Sequence, residues 1–328
     1  MNCLGIESTA HTLGIGITKN KEIIANEKSI YKPEEGEGII PREAAEHHEK
    51  TREKTLKKAI EEAGIEKDEI DLIAVANGPG LPPCLLQGVE LAKKLSKELK
   101  ANIVPVNHCI AHIEVSKKDT EAKDPLVQYV SGGNTQIISY AGSRYRIHGE
   151  TLDIGIGNAF DKFAREMNLK MPGGPKIMKM AEKGENYIEL PYTVKGMDLS
   201  FSGLVTQAKK EYKKLKNKEE YTKEDLAYSF QETILSMLVE VTERAIAHTK
   251  KEELLLTGGV AMNTRLREID EKMAEEHGAS FHTPKREYCG DNGAMIAYTG
   301  EIYKEKAKKP EKIDIKPNWR TNKYRAKK

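Results

Sequence analysis

Cysteine is scarce and scattered. Four cysteines stand at positions 3, 84, 109 and 289, and none belongs to a C-x-x-C pair. That argues against a zinc ribbon and against a disulfide framework. No stretch reaches the roughly 18 consecutive apolar residues of a membrane span. The opening Met1-Asn2-Cys3-Leu4-Gly5-Ile6-Glu7 has no basic segment leading into an apolar one, so no secretory signal is expected. An excess of either charge is missing as well: 53 Lys and Arg face 51 Asp and Glu, for a net charge of +2. This balance excludes a strongly basic nucleic-acid coat and a strongly acidic tail. Two catalytic signatures are also absent, the G-x-x-x-x-G-K-[ST] phosphate loop and the H-E-x-x-H zinc-protease motif. These absences leave a reduced, cytoplasmic, globular chain as the expectation. Its 328 residues suggest about two domains at roughly 150 residues each.

What is present alternates strand and helix. Cys3 to Glu7 reads as a strand with Thr12 to Thr18 as its hairpin partner. Arg42 to Ala63 reads as a helix, opened by Pro41 and closed by Gly64, the expected punctuation. Strands are expected at Ile70–Ala76 and Ile103–Val106, with a helix from about Leu85 to Leu99 between them and another starting near His108. Leu126–Val130, the turn Ser131 to Thr135 and Gln136–Tyr140 then repeat the opening strand–turn–strand. A long helix over Lys223–Thr249, a strand over Glu253–Thr257, a helix from Gly258-Gly259 through Leu266 and a last helix over Asp291–Tyr303 complete the pattern. Two similar openings suggest a duplicated α/β fold, although ordinary hairpins have the same look.

Five constellations carry possible chemistry. His108 and His112 lie four apart, on one helical face, a spacing that lets two imidazoles share a metal ion. Taken alone, the pair reads as two partly buried histidines bonded to nearby backbone. Ser131-Gly132-Gly133-Asn134-Thr135 and Thr257-Gly258-Gly259 each follow a strand. Glycines let backbone N–H groups approach an anion, and a helix start adds a positive end. Pro172-Gly173-Gly174-Pro175 precedes a short helix and reads as a rigid loop. Asp291, between Gly290 and Asn292-Gly293 at a helix start, is placed to meet a cation or, more simply, to cap the helix. Lys209 to Lys218 holds six lysines beside Tyr212; it is either a track for an RNA backbone or a solvated helix face. The basic end, Arg320 to Lys328, has the same two readings.

Together these segments resemble a known family. The resemblance rests on Gly38-Ile39-Ile40-Pro41-Arg42-Glu43-Ala44-Ala45, Asn77-Gly78-Pro79-Gly80-Leu81 and Asn107-His108-Cys109-Ile110-Ala111-His112-Ile113-Glu114. It extends through Tyr129-Val130-Ser131-Gly132-Gly133-Asn134-Thr135, Gly149-Glu150-Thr151-Leu152-Asp153, Pro172-Gly173-Gly174-Pro175, Phe201-Ser202-Gly203, Gly258-Gly259-Val260-Ala261-Met262-Asn263 and Tyr288-Cys289-Gly290-Asp291-Asn292-Gly293. The chain is similar, nearly end to end, to the TsaD family of tRNA N6-adenosine threonylcarbamoyltransferases. The Asn107–Glu114 wording and the Pro317-Asn318-Trp319-Arg320-Thr321 ending resemble its archaeal and eukaryotic branch, the catalytic subunit of KEOPS complexes. Members of the family once carried the label O-sialoglycoprotein endopeptidase.

The resemblance implies a two-lobe α/β fold of the actin, Hsp70 and sugar-kinase type around a nucleotide cleft. The lobes are expected at residues 1–122 with 295–328, and at 123–294. The implied reaction moves a threonylcarbamoyl group from threonylcarbamoyl-adenylate to N6 of the adenosine beside the tRNA anticodon. The implied cofactor is one divalent ion, iron or zinc, held by His108, His112, Tyr129 and Asp291. Tyr129, Val130, Ser131, Gly132 and Gly133 would line the adenylate, with Asp161, Gly174 and Asn263 at its nucleoside part. Implied partners are tRNA, a small atypical kinase on a separate chain, a dimerising subunit and a small tRNA-binding subunit, with no membrane. No catalytic side chain is singled out; Glu7 and His11 are candidate bases by position only. One departure stands out. The family usually has Glu where Gly173-Gly174-Pro175-Lys176-Ile177 is followed by Met178, and thioether sulfur is a poor acceptor for ribose hydroxyls. The alternative is therefore a nucleotide-binding scaffold or ATPase of the same fold with weakened ribose binding.

Overall fold

The computed structural model describes residues 1–34, 38–215 and 221–324. The first half runs β1 (Asn2–Glu7), β2 (Thr12–Lys19), β3 (Glu22–Ile30), α1 (Pro41–Ala63), β4 (Leu72–Gly78), α2 (Pro82–Leu99), β5 (Asn102–Asn107) and α3 (His108–Thr120). It continues with β6 (Leu126–Val130), β7 (Thr135–Ala141), β8 (Arg144–Glu150), α4 (Ile156–Glu166), α5 (Gly174–Ala181), β9 (Val194–Lys195), β10 (Asp198–Leu199) and α6 (Ser202–Leu215). The chain closes with α7 (Lys223–Thr249), β11 (Glu253–Thr257), α8 (Thr264–Glu276), β12 (Ser280–His282), α9 (Arg286–Cys289) and α10 (Gly293–Ile302). Two compact units form. The first comprises Met1–Asp119, Ala141–Tyr145 and Lys285–Lys328; the second comprises Thr120–Tyr140 and Arg146–Pro284.

Each unit is built on a five-stranded sheet of the same plan. In the first the order is β3-β2-β1-β4-β5, and in the second β8-β7-β6-β11-β12. β1 pairs antiparallel with β2 and parallel with β4. Likewise β6 pairs antiparallel with β7 and parallel with β11. The sequence repeat of strand, turn and strand is thus a repeat of topology. β3 escaped the sequence reading because it is an edge strand, Glu-Ile-Ile-Ala-Asn-Glu-Lys-Ser-Ile, with most positions partly or fully exposed.

Alternation of side chains along the strands covers both faces of the first sheet. Leu4, Ile6, Ile73, Val75 and Ile103 pack with Leu56, Ala59, Val89 and Leu95 of α1 and α2. Cys3, Leu72, Ala74, Ala76, Val104 and Val106 pack with Ala111 and Val115 of α3 and with Met295 and Ile296 of α10. The basic end is part of this unit as far as residue 324. Ile313 joins the core, the Lys316 N–H donates to the Asn77 carbonyl at 2.6 Å, and Lys306 Nζ lies 3.5 Å from the centre of the Tyr324 ring. Residues 325–328 lie outside the described residues.

The approach of α10 to the sheet depends on missing side chains. A Cβ on Gly5 would stand 2.1 Å from the Ala297 nitrogen, and one on Gly16 would stand 2.2 Å from the Ala294 nitrogen. A Cβ on Gly293 would meet the Gly16 nitrogen at 2.1 Å. Only glycine lets the helix backbone touch the strand backbone here. One expected helix differs. Gly258 to Leu266 is not continuous: Gly259–Met262 makes a 3-10 turn, and α8 begins at Thr264. Asn263 divides them, because its side chain accepts from the Leu266 N–H at 3.0 Å and caps the new helix.

The prediction from this packing is that Gly16→Ala forces α10 off β1 and β2 and lowers stability by at least about 2 kcal/mol. Urea unfolding of the variant against the parent measures it, and an unchanged midpoint would show that the backbone contact is dispensable.

Candidate functional site

The first unit gathers three of the metal ligands named from sequence. β5 ends at Asn107, whose side-chain oxygen accepts from the Ile110 N–H at 3.2 Å and starts α3. His108 and His112 therefore fall on consecutive turns of α3, with their rings 4.8 Å apart and nearly perpendicular. Asp291 reaches them from the residues just before α10. Its Oδ1 lies 3.2 Å from His112 Nε2 and 3.5 Å from His108 Nε2. All three ligand atoms lie within 4.8 Å of one another.

Asp291 is not the helix cap. Asn292 takes that role, its side chain accepting from the Met295 N–H at 2.9 Å, and the Asp291 carboxylate is left to face the imidazoles. Nor do His108 Nδ1, His108 Nε2 and His112 Nε2 turn to backbone, as those of an isolated pair would; each faces a carboxylate. His108 Nδ1 lies 2.9 Å from Glu7 Oε2. Glu7 is fully buried and also accepts from the Thr9 N–H at 2.7 Å and from the Thr9 hydroxyl. With those partners Glu7 is an orienting group behind the site rather than a base in front of it. Its place at the end of β1, beside the histidines, was the missing signal: sequence spacing gives no distance between residues 7 and 108. Two residues beyond His112, Glu114 accepts from the Tyr303 hydroxyl at 2.7 Å and from the Tyr145 hydroxyl, which fixes the middle of α3.

The electrostatics follow. Burial opposes charging of His108, but Glu7 and Asp291 outweigh it and raise the imidazole to about 9. Burial also opposes ionisation of Asp291, yet His108 and His112 hold its carboxyl well below the usual range. Burial is the larger influence on His112 and lowers it. Two imidazole nitrogens and a carboxylate oxygen converge on one point, each imidazole offering the borderline nitrogen that iron and zinc accept.

The second unit holds the remaining predicted residues. Tyr129 and Val130 are buried near the end of β6. Ser131 to Asn134 close a tight loop: the Ser131 N–H donates to the Asn134 carbonyl at 2.8 Å, and the Asn134 N–H donates to Ser131 Oγ at 3.0 Å. Gly132 and Gly133 are exposed at its tip, and their N–H groups have no partner among the described residues. The start of α4 does not add its own amides. Ile156 donates to Thr135 Oγ1, Gly157 to the Ser131 carbonyl and Asn158 to the Gly132 carbonyl. Gly258 packs against the Val130 carbonyl, which a Cβ would meet at 2.2 Å. The two glycine turns thus sit side by side at the carboxyl ends of parallel strands β6 and β11, where open α/β sheets hold ligands.

Asp161 accepts from the Gly173 N–H at 2.8 Å, which ties α4 to the loop before Gly174. Asn263 caps α8 with its oxygen and donates to Gln231 Oε1 at 3.2 Å through its nitrogen. Met178 meets the Thr264 hydroxyl, whose oxygen lies 3.5 Å from the sulfur. Phe201 and Ser202, singled out as a motif, are held by Asp153. That carboxylate accepts from their N–H groups at 3.0 and 2.9 Å and from the Ser200 hydroxyl at 2.7 Å. Burial opposes its charge, but these donors hold the carboxyl well below the usual carboxylate range. The lysine-rich stretch lies on α6 as far as Leu215; Lys216 and Lys218 lie outside the described residues. Lys209 and Lys213 share Glu166, at 3.5 and 3.3 Å.

Two outcomes test this geometry. Glu7→Gln should weaken metal binding by about 10- to 100-fold, the usual loss when a carboxylate behind a ligand histidine is removed. Competition with a chelator measures it, and unchanged affinity would make Glu7 a purely structural acid. Asp153→Ala should cost about 1–2 kcal/mol at neutral pH, since solvent screens an exposed carboxylate. Because the folded carboxyl is depressed, that increment is present above the unfolded value of about 3.9 and fades as the pH falls toward the folded one. Urea midpoints of parent and variant should therefore converge in acid; a constant gap would refute the assignment.

Comparison with known proteins fits this arrangement. The sequence model of the TsaD family, tRNA N6-adenosine threonylcarbamoyltransferase, matches residues 20–298. The tRNA N6-adenosine threonylcarbamoyltransferase of Thermococcus kodakarensis is 57% identical over 300 residues, covering 92% of this chain and 90% of that protein. A probable bifunctional tRNA threonylcarbamoyladenosine biosynthesis protein of Methanocaldococcus jannaschii is 50% identical over 325 residues, covering 98% of this chain and 59% of that protein. Among solved structures, HypF of T. kodakarensis aligns with a TM-score of 0.63 at 17% identity, over 93% of this chain and 47% of that one. Component A of the (R)-2-hydroxyglutaryl-CoA dehydratase of Acidaminococcus fermentans aligns with a TM-score of 0.58 at 14% identity, over 93% of this chain and 99% of that one. At such identities the likeness is one of fold: the duplicated, actin-like α/β fold.

Proposed function

The chain belongs to the TsaD family of tRNA N6-adenosine threonylcarbamoyltransferases, and from that premise we propose how its residues divide the work of the transfer. The chain is an acyltransferase that modifies tRNA. In the proposed scheme His108, His112 and Asp291, with Tyr129 as a fourth ligand, hold one divalent ion, iron or zinc. When bound, the ion supplies fixed positive charge that favours an anionic donor and its leaving phosphate. Glu7 holds His108 Nδ1, which leaves Nε2 on the side of Asp291 where it would serve as a ligand. The exposed N–H groups of Gly132 and Gly133 meet the phosphate of the adenylate, with Val130 and Ser131 in the same wall. Asp161, Gly174 and Asn263 shape the nucleoside end.

The donor is a mixed anhydride and is already activated. The N6 amine attacks the carbamoyl carbon, the C–O bond to phosphate breaks, and adenylate leaves as the amine gives up a proton. No protein nucleophile is needed, so orientation of donor and amine carries the rate. Met178 in place of the family carboxylate removes an acceptor for ribose hydroxyls, and the donor then relies on its phosphate and threonyl ends. A KEOPS-type setting, with a kinase subunit, a dimerising subunit and a small tRNA-binding subunit, belongs to the same proposal, as does a cytoplasmic site of action. Among the described residues no helix is long and apolar enough to cross a membrane.

The observation that carries this reading is the convergence of three ligand atoms within 4.8 Å, with a buried carboxylate behind one of them. The experiment is to supply the purified chain with iron or zinc, partner subunits, tRNA and threonylcarbamoyl-adenylate, and to measure modified adenosine. Formation of product, lost together with bound metal in His112→Ala, is expected. A variant that kept metal and full transfer would overturn the ligand assignment. Nucleotide binding without product would leave the scaffold alternative.

A further inference from the structure

From the second unit we infer an RNA-backbone groove between α4 and α6, an inference that rests on the tRNA-modifying role above. A cavity of about 370 Å³ opens there. Lys162 and Arg165 line it from α4, and Ser202, Thr206 and Lys209 line it from α6. The spacings i, i+3 and i, i+4, i+7 put each set on one helical face, so the two faces look at each other across the groove.

The charges are arranged to take up an anion. Among the described residues no carboxylate pairs with Lys162 or Arg165. Lys209 and Lys213 share the single carboxylate of Glu166, so the groove keeps a net positive charge. The nearby acids are otherwise engaged: Asp153 by the N–H groups at the start of α6, Asp161 by the Gly173 N–H and Glu211 by Lys214 at 2.9 Å. The Ser202 hydroxyl has no partner among the described residues and can donate to a phosphate oxygen. Thr206 donates its own hydroxyl proton to the Ser202 carbonyl at 2.8 Å, so it offers an acceptor, the complement of a ribose 2′-hydroxyl.

The shape favours a chain of phosphates over a single one. From Ser202 to Lys213 the face of α6 runs about 16 Å, at 1.5 Å per residue. That spans more than one phosphate, and the cations continue past the cavity instead of closing around one point. A mononucleotide in the cavity would leave Lys213, which is outside the lining, with Glu166 as its partner.

The test is binding of unmodified tRNA transcript and, separately, of AMP to the full chain over a range of salt. The double variant Lys162→Gln with Arg165→Gln should bind tRNA about tenfold more weakly at low salt and flatten the salt slope by about one unit per lost contact. Its AMP affinity should stay at the parent value. Glu166→Gln, which removes the one opposing carboxylate, should tighten tRNA binding by about two- to threefold, a gain that a misfolded variant cannot give. Unchanged tRNA affinity and slope in both variants would overturn the groove. So would loss of AMP affinity with an unchanged tRNA slope, because the cavity would then serve the small donor. If the parent chain forms no modified adenosine while the variants still shift the RNA slope, the transfer reading fails and the groove stands.

Discussion

The structure of the first unit turns on one oxygen. Asp291 Oδ1 stands within 3.5 Å of the Nε2 atoms of both His108 and His112, although 179 residues separate Asp291 from His112. The histidines are brought there by a strand that ends in a helix, and the aspartate by a helix that lies directly on strand backbone. The second arrangement tolerates almost no variation, because Gly5, Gly16 and Gly293 all lack room for a single carbon. Packing and chemistry are therefore the same constraint: a side chain that lifted α10 would also move the carboxylate away from the imidazoles. The packing itself brings the carboxylate and the two rings to one point.

Buried or tethered carboxylates organise both units, and they do so by accepting from backbone and ring N–H groups rather than by pairing with lysines. Glu7 fixes His108, and Asp161 joins α4 to the loop ahead of α5. Asp225 accepts from the N–H of Thr222, the residue that caps its helix, and also from the N–H groups of Glu185 and Asn186, tying an otherwise irregular segment to α7. A carboxylate that satisfies two or three backbone donors fixes a loop more firmly than a surface ion pair, whose contribution is near zero to about 1 kcal/mol.

Local signals in the sequence were sufficient for most elements. Pro41 and Gly64 bracket α1, with Gly64 in the left-handed conformation at φ 62°. Leu126–Val130, Lys223–Thr249 and Glu253–Thr257 are read from sequence with the boundaries found in the structure. Where local signals failed, a long-range or side-chain effect had decided the outcome. Asn263 interrupts a run that reads as helical because its amide is a better cap than a helix interior residue. Asp291 and Asn292 both have capping side chains, and only the position of the histidines decides which of them points outward. Glu7 could not be placed, since parallel pairing of β1 with β4 and of β4 with β5, not spacing along the chain, brings it to His108.

Net charge does not say where charge acts. A value of +2 over 328 residues describes a chain with almost no long-range field, yet field at a surface depends on which charges are paired. On α1 and α6 some basic residues take carboxylate partners one turn away, as in Arg42 with Glu46 and Lys214 with Glu211, and such pairs cancel beyond a Debye length of about 8–10 Å. Lys162 and Arg165 escape this cancellation because their helix face turns toward α6, whose matching positions carry hydroxyls and a third cation. The local imbalance comes from helix register, which sets which residues share a face, and the sum over the sequence averages it away.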